Sequence, residues 1–181
     1  MKAVFFTLVL FLFFFISCTS EKPDIYRTKS GNYASLHGGF STSFPVKPDI
    51  SVANVKGNSG TYVVHMFRTA VGTNKKFRVT YIDYPKNKIT DLNKEQIYTE
   101  EVHAIIKAIG GNLTLDSFFD INENSISGKY FTINRTPPIT LGDNFIEGKI
   151  FLKNNRVYII THSGPISDES LLFMSSFRFI N

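Results

Sequence analysis

The chain has 181 residues, 43% of them hydrophobic, with 20 Lys and Arg against 15 Asp and Glu and a single cysteine. One cysteine excludes an intrachain disulfide and a thiolate metal cluster, so a hydrophobic core has to supply the stability. The net charge of +5 is spread as separate cations from Lys47 to Arg178, not gathered on one stretch, which argues against nucleic acid as a partner.

Met1 and Lys2 are followed by an apolar run from Ala3 to Ile16 broken only by Thr7, the layout of a secretory signal. As a helix, Ala3 to Ser17 would be about 22 Å long, short of the roughly 30 Å hydrocarbon core of a bilayer, which disfavours a stable spanning anchor. Ser17 and Cys18, with the polar Thr19, Ser20, Glu21 and Lys22 after them, resemble the lipobox of bacterial lipoproteins, although Phe15 stands where leucine is commonest. That resemblance implies cleavage before Cys18, lipidation of Cys18, and a chain held to a bacterial membrane by lipid. Two or more acyl chains suffice for stable anchoring at about 0.8 kcal/mol per buried methylene. Thr19 is not the acidic residue that tends to retain enterobacterial lipoproteins at the inner membrane, so the resemblance favours the outer membrane. The alternative is a plain cleaved signal, after which Cys18 is lost or left as a free thiol.

The expected organisation is a signal peptide at 1–17, a lipidated flexible tether at 18–37 and one domain at 38–181. No period persists through residues 19–37, with Tyr26, Tyr33 and Leu36 isolated among polar neighbours, hence the tether. Phe40, Thr42 and Phe44 alternate with Ser41 and Ser43 as a first strand. Ser51 to Val55, Thr61 to Thr69 and Phe77 to Tyr81 predict further strands, the last two as an antiparallel hairpin. Lys94 to Ile109 predicts an amphipathic helix, with Asn93 as N-cap, a staple between Leu92 and Ile97, an apolar stripe of Tyr98, Val102, Ile105 and Ile109 broadened by Ile106, and termination at Gly110 and Gly111. Leu113 to Ile121 and Ser125 to Ile133 read as strands around a turn at Asn122 to Asn124, and Leu141 to Asn144 as loop. Phe145 to Leu152 and Arg156 to His162 flank a hairpin turn at Lys153-Asn154-Asn155. Ser167 caps a last helix beginning at Asp168, and Phe177 to Phe179 extend from it. The sum is an α+β domain, an antiparallel sheet flanked by helices.

Phe40-Ser41-Thr42-Ser43-Phe44-Pro45, Tyr81-Ile82-Asp83-Tyr84-Pro85, the pair Ile150-Phe151-Leu152 and Arg156-Val157-Tyr158, and the closing Ser176-Phe177-Arg178 resemble segments of a group of bacterial exported proteins. The layout also looks like that of the PsbP and Mog1 proteins, in which helices sandwich a central antiparallel sheet. The resemblance spans residues 38–181 and implies a binding or accessory module, with no catalytic residues to carry over.

The four histidines, His37, His65, His103 and His162, have no partner at a metal-ligand spacing. His65 and His162 are the pair that a sheet would have to bring together, and His103 with Glu100 and Glu101 reads as charged helix surface. Asp116, Asp120, Glu123 and Asp143 show no arrangement for acid/base work. Ser59 lacks a nucleophile elbow, and the glycine doublets lack phosphate-loop spacing. No catalytic, cofactor or metal residues are expected. Tyr81, Tyr84, Tyr130 and Tyr158 are the candidates for a binding groove, since tyrosine joins a flat apolar ring to a polar tip. The function expected is that of a noncatalytic, membrane-tethered periplasmic or surface module binding a protein or envelope component. The alternatives are a cell-envelope hydrolase with an unrecognised active site and a structural envelope-assembly lipoprotein.

Overall fold

The computed structural model describes residues 24–57, 60–85, 88–90, 93–110, 112–135 and 145–180. The signal peptide, Cys18, the staple residue Leu92, Gly111 and the Leu141 to Asn144 loop lie outside the described residues.

Within the described residues, eleven strands form two antiparallel sheets and two helices pack on them. The small sheet is ordered β1 (Tyr26–Arg27), β2 (Tyr33–Ser35), β3 (Phe40–Thr42), β11 (Arg178–Phe179). The large sheet begins with β4 (Asp49–Gly57), β5 (Gly60–Val71) and β6 (Lys75–Asp83) as one meander. Helix α1 (Lys94–Ile109) then carries the chain to the opposite edge. There β7 (Leu113–Glu123), β8 (Ile126–Arg135), β9 (Ile146–Lys153) and β10 (Arg156–Ser163) meander back inward until β10 pairs with β6. Helix α2 (Asp168–Ser176) leads into β11.

The alternation of each strand sorts its side chains between two cores. One face of the large sheet sends Phe67, Phe77, Val79, Tyr81, Phe151, Tyr158 and Ile160 against Phe40 and Phe44 of the small-sheet segment and Phe173, Met174 and Phe177 from α2 onward. The other sends Ile82, Phe131, Ile133, Ile150, Leu152, Val157 and Ile159 against Ile97, Tyr98 and Val102 of α1. Strand β10 is buried on both faces. Two strand glycines make room for rings: a Cβ at Gly148 would collide with the Phe131 ring, and one at Gly128 with Phe151 and the Ile150 carbonyl.

Both helices span the expected residues, but their starts differ. Ser167 is a true cap, accepting from the Ser170 N–H while the Ser170 hydroxyl accepts from the Ser167 N–H. Asn93 is not. Its side chain faces backward, accepting from the Thr90 N–H at 2.8 Å and donating to the Lys88 carbonyl at 2.7 Å, so the Asn amide ties down the preceding loop instead of the helix. Gln96, three residues on, donates to Glu100 one turn further along the helix. Gly110 does end α1 with a positive φ of 74°. The helix stripe is rotated from the expected one: Ile97 is buried and Ile109 is 48% exposed. A polar strut borders the same interface, with the ammonium of the largely covered Lys129 2.8 Å from both Glu95 of α1 and Asp120 of β7, whose carboxylates are exposed.

The ordered fold also reaches back into the stretch expected as tether. Tyr33 to Ser35 pair with β3, Ala34 and Ser35 are buried, and the Tyr33 ring meets Phe44 edge-on at 6.5 Å. Three isolated apolar residues carry no period, yet strand pairing needs only a partner, and β3 is one.

The C-terminal phenylalanines close the structure. Phe177, 1% exposed, stacks between Phe40 and Phe151 with centroids 6.0 Å away on both sides, and Phe179 meets Tyr158 edge-on at 5.0 Å. Phe177→Ala should cost about 3–5 kcal/mol, lowering the thermal midpoint by on the order of 10 °C. Differential scanning calorimetry checks this, and an unchanged midpoint would show the ring to be dispensable.

Candidate functional site

Strands β5, β6 and β10 set three aromatic side chains in a row on one face, because His65 is the ladder partner of Tyr81 and Tyr81 that of Tyr158. Two residues along, toward the strand ends, Asp83 and Arg156 are ladder partners on the same face. The turn between β2 and β3 closes over them, bringing His37, Gly38 and Gly39 above the row.

Arg156 organises this cluster. Its guanidinium lies 4.2 Å over the Tyr81 ring, its Nε donates to Asp83 Oδ1 at 2.6 Å, and its Nη1 donates to the His37 carbonyl at 2.8 Å. Burial works against the Arg156 charge, but the hydrogen bonds with Asp83 and Tyr158 outweigh it and hold the pKa above its ordinary value. His65 also stacks on Tyr81, 4.3 Å between centroids and 15° off parallel. Its Nε2 is 3.7 Å from Asp83 Oδ2. That contact would be an ion pair only with His65 protonated, and burial, opposed by Asp83 but aided by His37 and Arg156, pushes the His65 pKa down. At neutral pH the imidazole is therefore uncharged and the carboxylate belongs to Arg156. Burial likewise pushes the Tyr81 hydroxyl well above its ordinary range. Tyr81 Oη and His65 Nδ1 are both buried without a hydrogen-bond partner among the described residues.

Beside the cluster lies an open cleft of about 350 Å³, at the small end for a ligand site, lined by Asp83, Tyr84, Arg156, Tyr158 and the turn Lys153 to Asn155. Asn154 takes the left-handed conformation at φ 58° that this turn requires. The arrangement can present Lys153, the Asn side chains and the outer edge of Asp83 to a polar ligand. Its strongest charges already neutralise one another, so it offers neither a free base beside a nucleophile nor two carboxylates with separated pKa values.

Of the four candidate tyrosines, Tyr81 and Tyr158 sit together, 6.2 Å between ring centroids. Tyr84 points to the opposite face, where it donates to Glu101 of α1 at 2.6 Å and packs on Tyr62. Tyr130 lies on β8 with Phe119 and Glu147. Of the four, Tyr84 and Tyr158 border the cleft, while Tyr81 lies beside Tyr158 and Tyr130 is elsewhere on the sheet. His65 and His162 are also apart: His162 pairs with Phe77, four residues along β6 from Tyr81. His162 is fully buried against the Phe77 ring, and neither ring nitrogen has a partner among the described residues. His103 is exposed on α1. Among the described residues, no group of three or more His, Cys, Asp or Glu is placed to hold a metal ion. Asp83, Arg156 and His37 were not singled out from sequence. Their meeting depends on the pairing of β6 with β10, which are separated by α1 and three strands, and no local spacing carries it.

No protein-family model matches this chain, and no curated protein matches it.

Two outcomes follow from the geometry. Replacing Arg156 with Met removes its hydrogen bonds with Asp83, Tyr158 and the His37 carbonyl and leaves the Asp83 carboxylate and the Tyr81 face uncovered. About 2 kcal/mol of stability should be lost, discounted from the buried-pair range because Asp83 is partly exposed, and urea unfolding measures it. The second outcome concerns pH. Burial, and less so Lys75, holds His162 below its ordinary pKa of 6.5. The unfolded chain therefore binds the proton first, so stability is fully present above about 6.5 and falls as pH drops from there toward the folded-state pKa. The urea midpoint of His162→Leu should change less between about pH 7.5 and 5.5 than that of the native chain, and an equal change would show that His162 contributes nothing to acid sensitivity.

Proposed function

We propose that this chain is an exported bacterial lipoprotein, anchored through lipid on Cys18 with the outer membrane favoured, whose domain is a noncatalytic module that binds a protein or envelope component. Export and anchoring rest on the charged start, the short apolar run and the Ser17-Cys18 junction. The binding role rests on one observation above others: Ile166, Leu171 and Leu172 are 62%, 55% and 57% exposed on and just before α2, whose opposite side, Ser170, Phe173 and Met174, is the one that packs. Apolar side chains grouped in this way on a charged surface mark contact sites. We also read the domain as a PsbP/Mog1-like sandwich, supported by the antiparallel sheet with α1 on one face and α2 with the small sheet on the other.

Two measurements test the proposal. Intact-mass analysis of the purified native chain should show a mature N-terminus at Cys18 carrying acyl mass, and Cys18→Ser should leave the membrane fraction. A native product that starts downstream without lipid would refute the anchor. Leu171→Glu with Leu172→Glu should abolish capture of the bound component while the thermal midpoint stays within about 2 °C, as expected for exposed positions. Undiminished capture would move the contact elsewhere.

A further inference from the structure

We propose that two copies of this chain associate through the free edge of β4, joining their large sheets across a two-fold axis. The two outer strands of that sheet differ in how their unpaired backbone edge is guarded. An exposed edge templates another strand unless charge, proline, a bulge or a cover blocks it. Strand β7 carries such blocks: its ladder with β8 is broken by an irregularity between Leu115 and Ser117, and Asp116 and Asp120 are exposed. Strand β4 is less guarded: its charges, Asp49 and Lys56, lie at its two ends, and among the described residues no strand pairs with its outer edge. Its ladder with β5 runs without a break from Asp49 to Gly57, no proline interrupts it, and Ile50-Ser51-Val52-Ala53-Asn54-Val55 is uncharged.

The strand's own sequence selects a second copy as the occupant. A two-fold axis makes an antiparallel pair of identical strands. Centred on Ala53, it sets Ser51 opposite Val55 and Val52 opposite Asn54, so no like charges face. The same operation on β7, centred on Phe118, would bring Asp116 against Asp120, a destabilising like-charge pair. The apolar surface agrees: Ala53, Val64 and Met66 are part-exposed and Val55 is 48% exposed, all on the face that α1 covers farther along the sheet. The contact is a strand pair of nine residues, smaller than the roughly 1,600 Å² of a standard stable interface, so weak association is expected.

Sedimentation velocity of the full chain in density-matched detergent, at about 100 µM to populate a weak dimer, should give twice the chain mass. Asn54→Lys and Val55→Lys, both at exposed positions, should each return it to the monomer with the thermal midpoint unchanged. Under mild oxidation, Ala53→Cys should give a disulfide joining the two copies at residue 53, identified by peptide mass. A monomer at that concentration overturns the proposal. So does a dimer that survives both lysine substitutions, or oxidation that leaves residue 53 unlinked to its copy.

Discussion

Phenylalanine rings between the two sheets hold this molecule together. With no second cysteine and no tryptophan in the chain, Phe40, Phe67, Phe77, Phe151, Phe173 and Phe177, all 1% exposed or less, form the seam on which the small sheet and α2 rest. Besides the stacking of Phe177 on Phe40 and Phe151, the seam has edge-on contacts, Phe40 on Phe67 at 5.0 Å and Phe77 on Phe173 at 5.3 Å. Those geometries place the positive ring edge against a negative face. Each ring belongs to a different segment, so the seam ties the ends of the chain to its middle.

Where the seam gives out, polar groups take over. Tyr81 shares the phenylalanine core but turns one face to the Arg156 guanidinium, and Arg156 reaches from there to Asp83 and to the backbone of the β2 to β3 turn. A guanidinium suits this post because it stacks on a ring while its in-plane donors point outward. The cluster thus pins a loop of the small sheet to the large one, and the nearby cleft has a rigid wall.

Elements whose signal is local were legible in the sequence. Both helices span the residues that their capping and glycine signals indicate, and the β9 to β10 hairpin turns on Asn154 as its composition suggests. The Asn93 cap failed because an Asn side chain before a helix has competing backbone partners, and here Thr90 and Lys88 win. Residues 26–27 and 33–35 were missed because such short strands gain order only from neighbours distant in sequence. The polar part of the candidate site was illegible for the same reason. Tyr81 and Tyr158 stood out as tyrosines, but the groups that give their surroundings a charge, Asp83 and Arg156, meet through a ladder that no spacing encodes. His65 and His162 share a face, yet register puts them at opposite ends of it.

The order of strands has a temporal corollary. Strand β10, in the middle of the large sheet, and β11, which completes the small one on β3, are both encoded after residue 155. A chain made from its N-terminus therefore leaves β6 with an open edge until residues 156–163 have been made, and Phe40 without its stacking partner until Phe177 has. Contacts between residues so far apart form slowly. Whatever escorts the nascent polypeptide has to keep those segments from other strands until the last of them arrives.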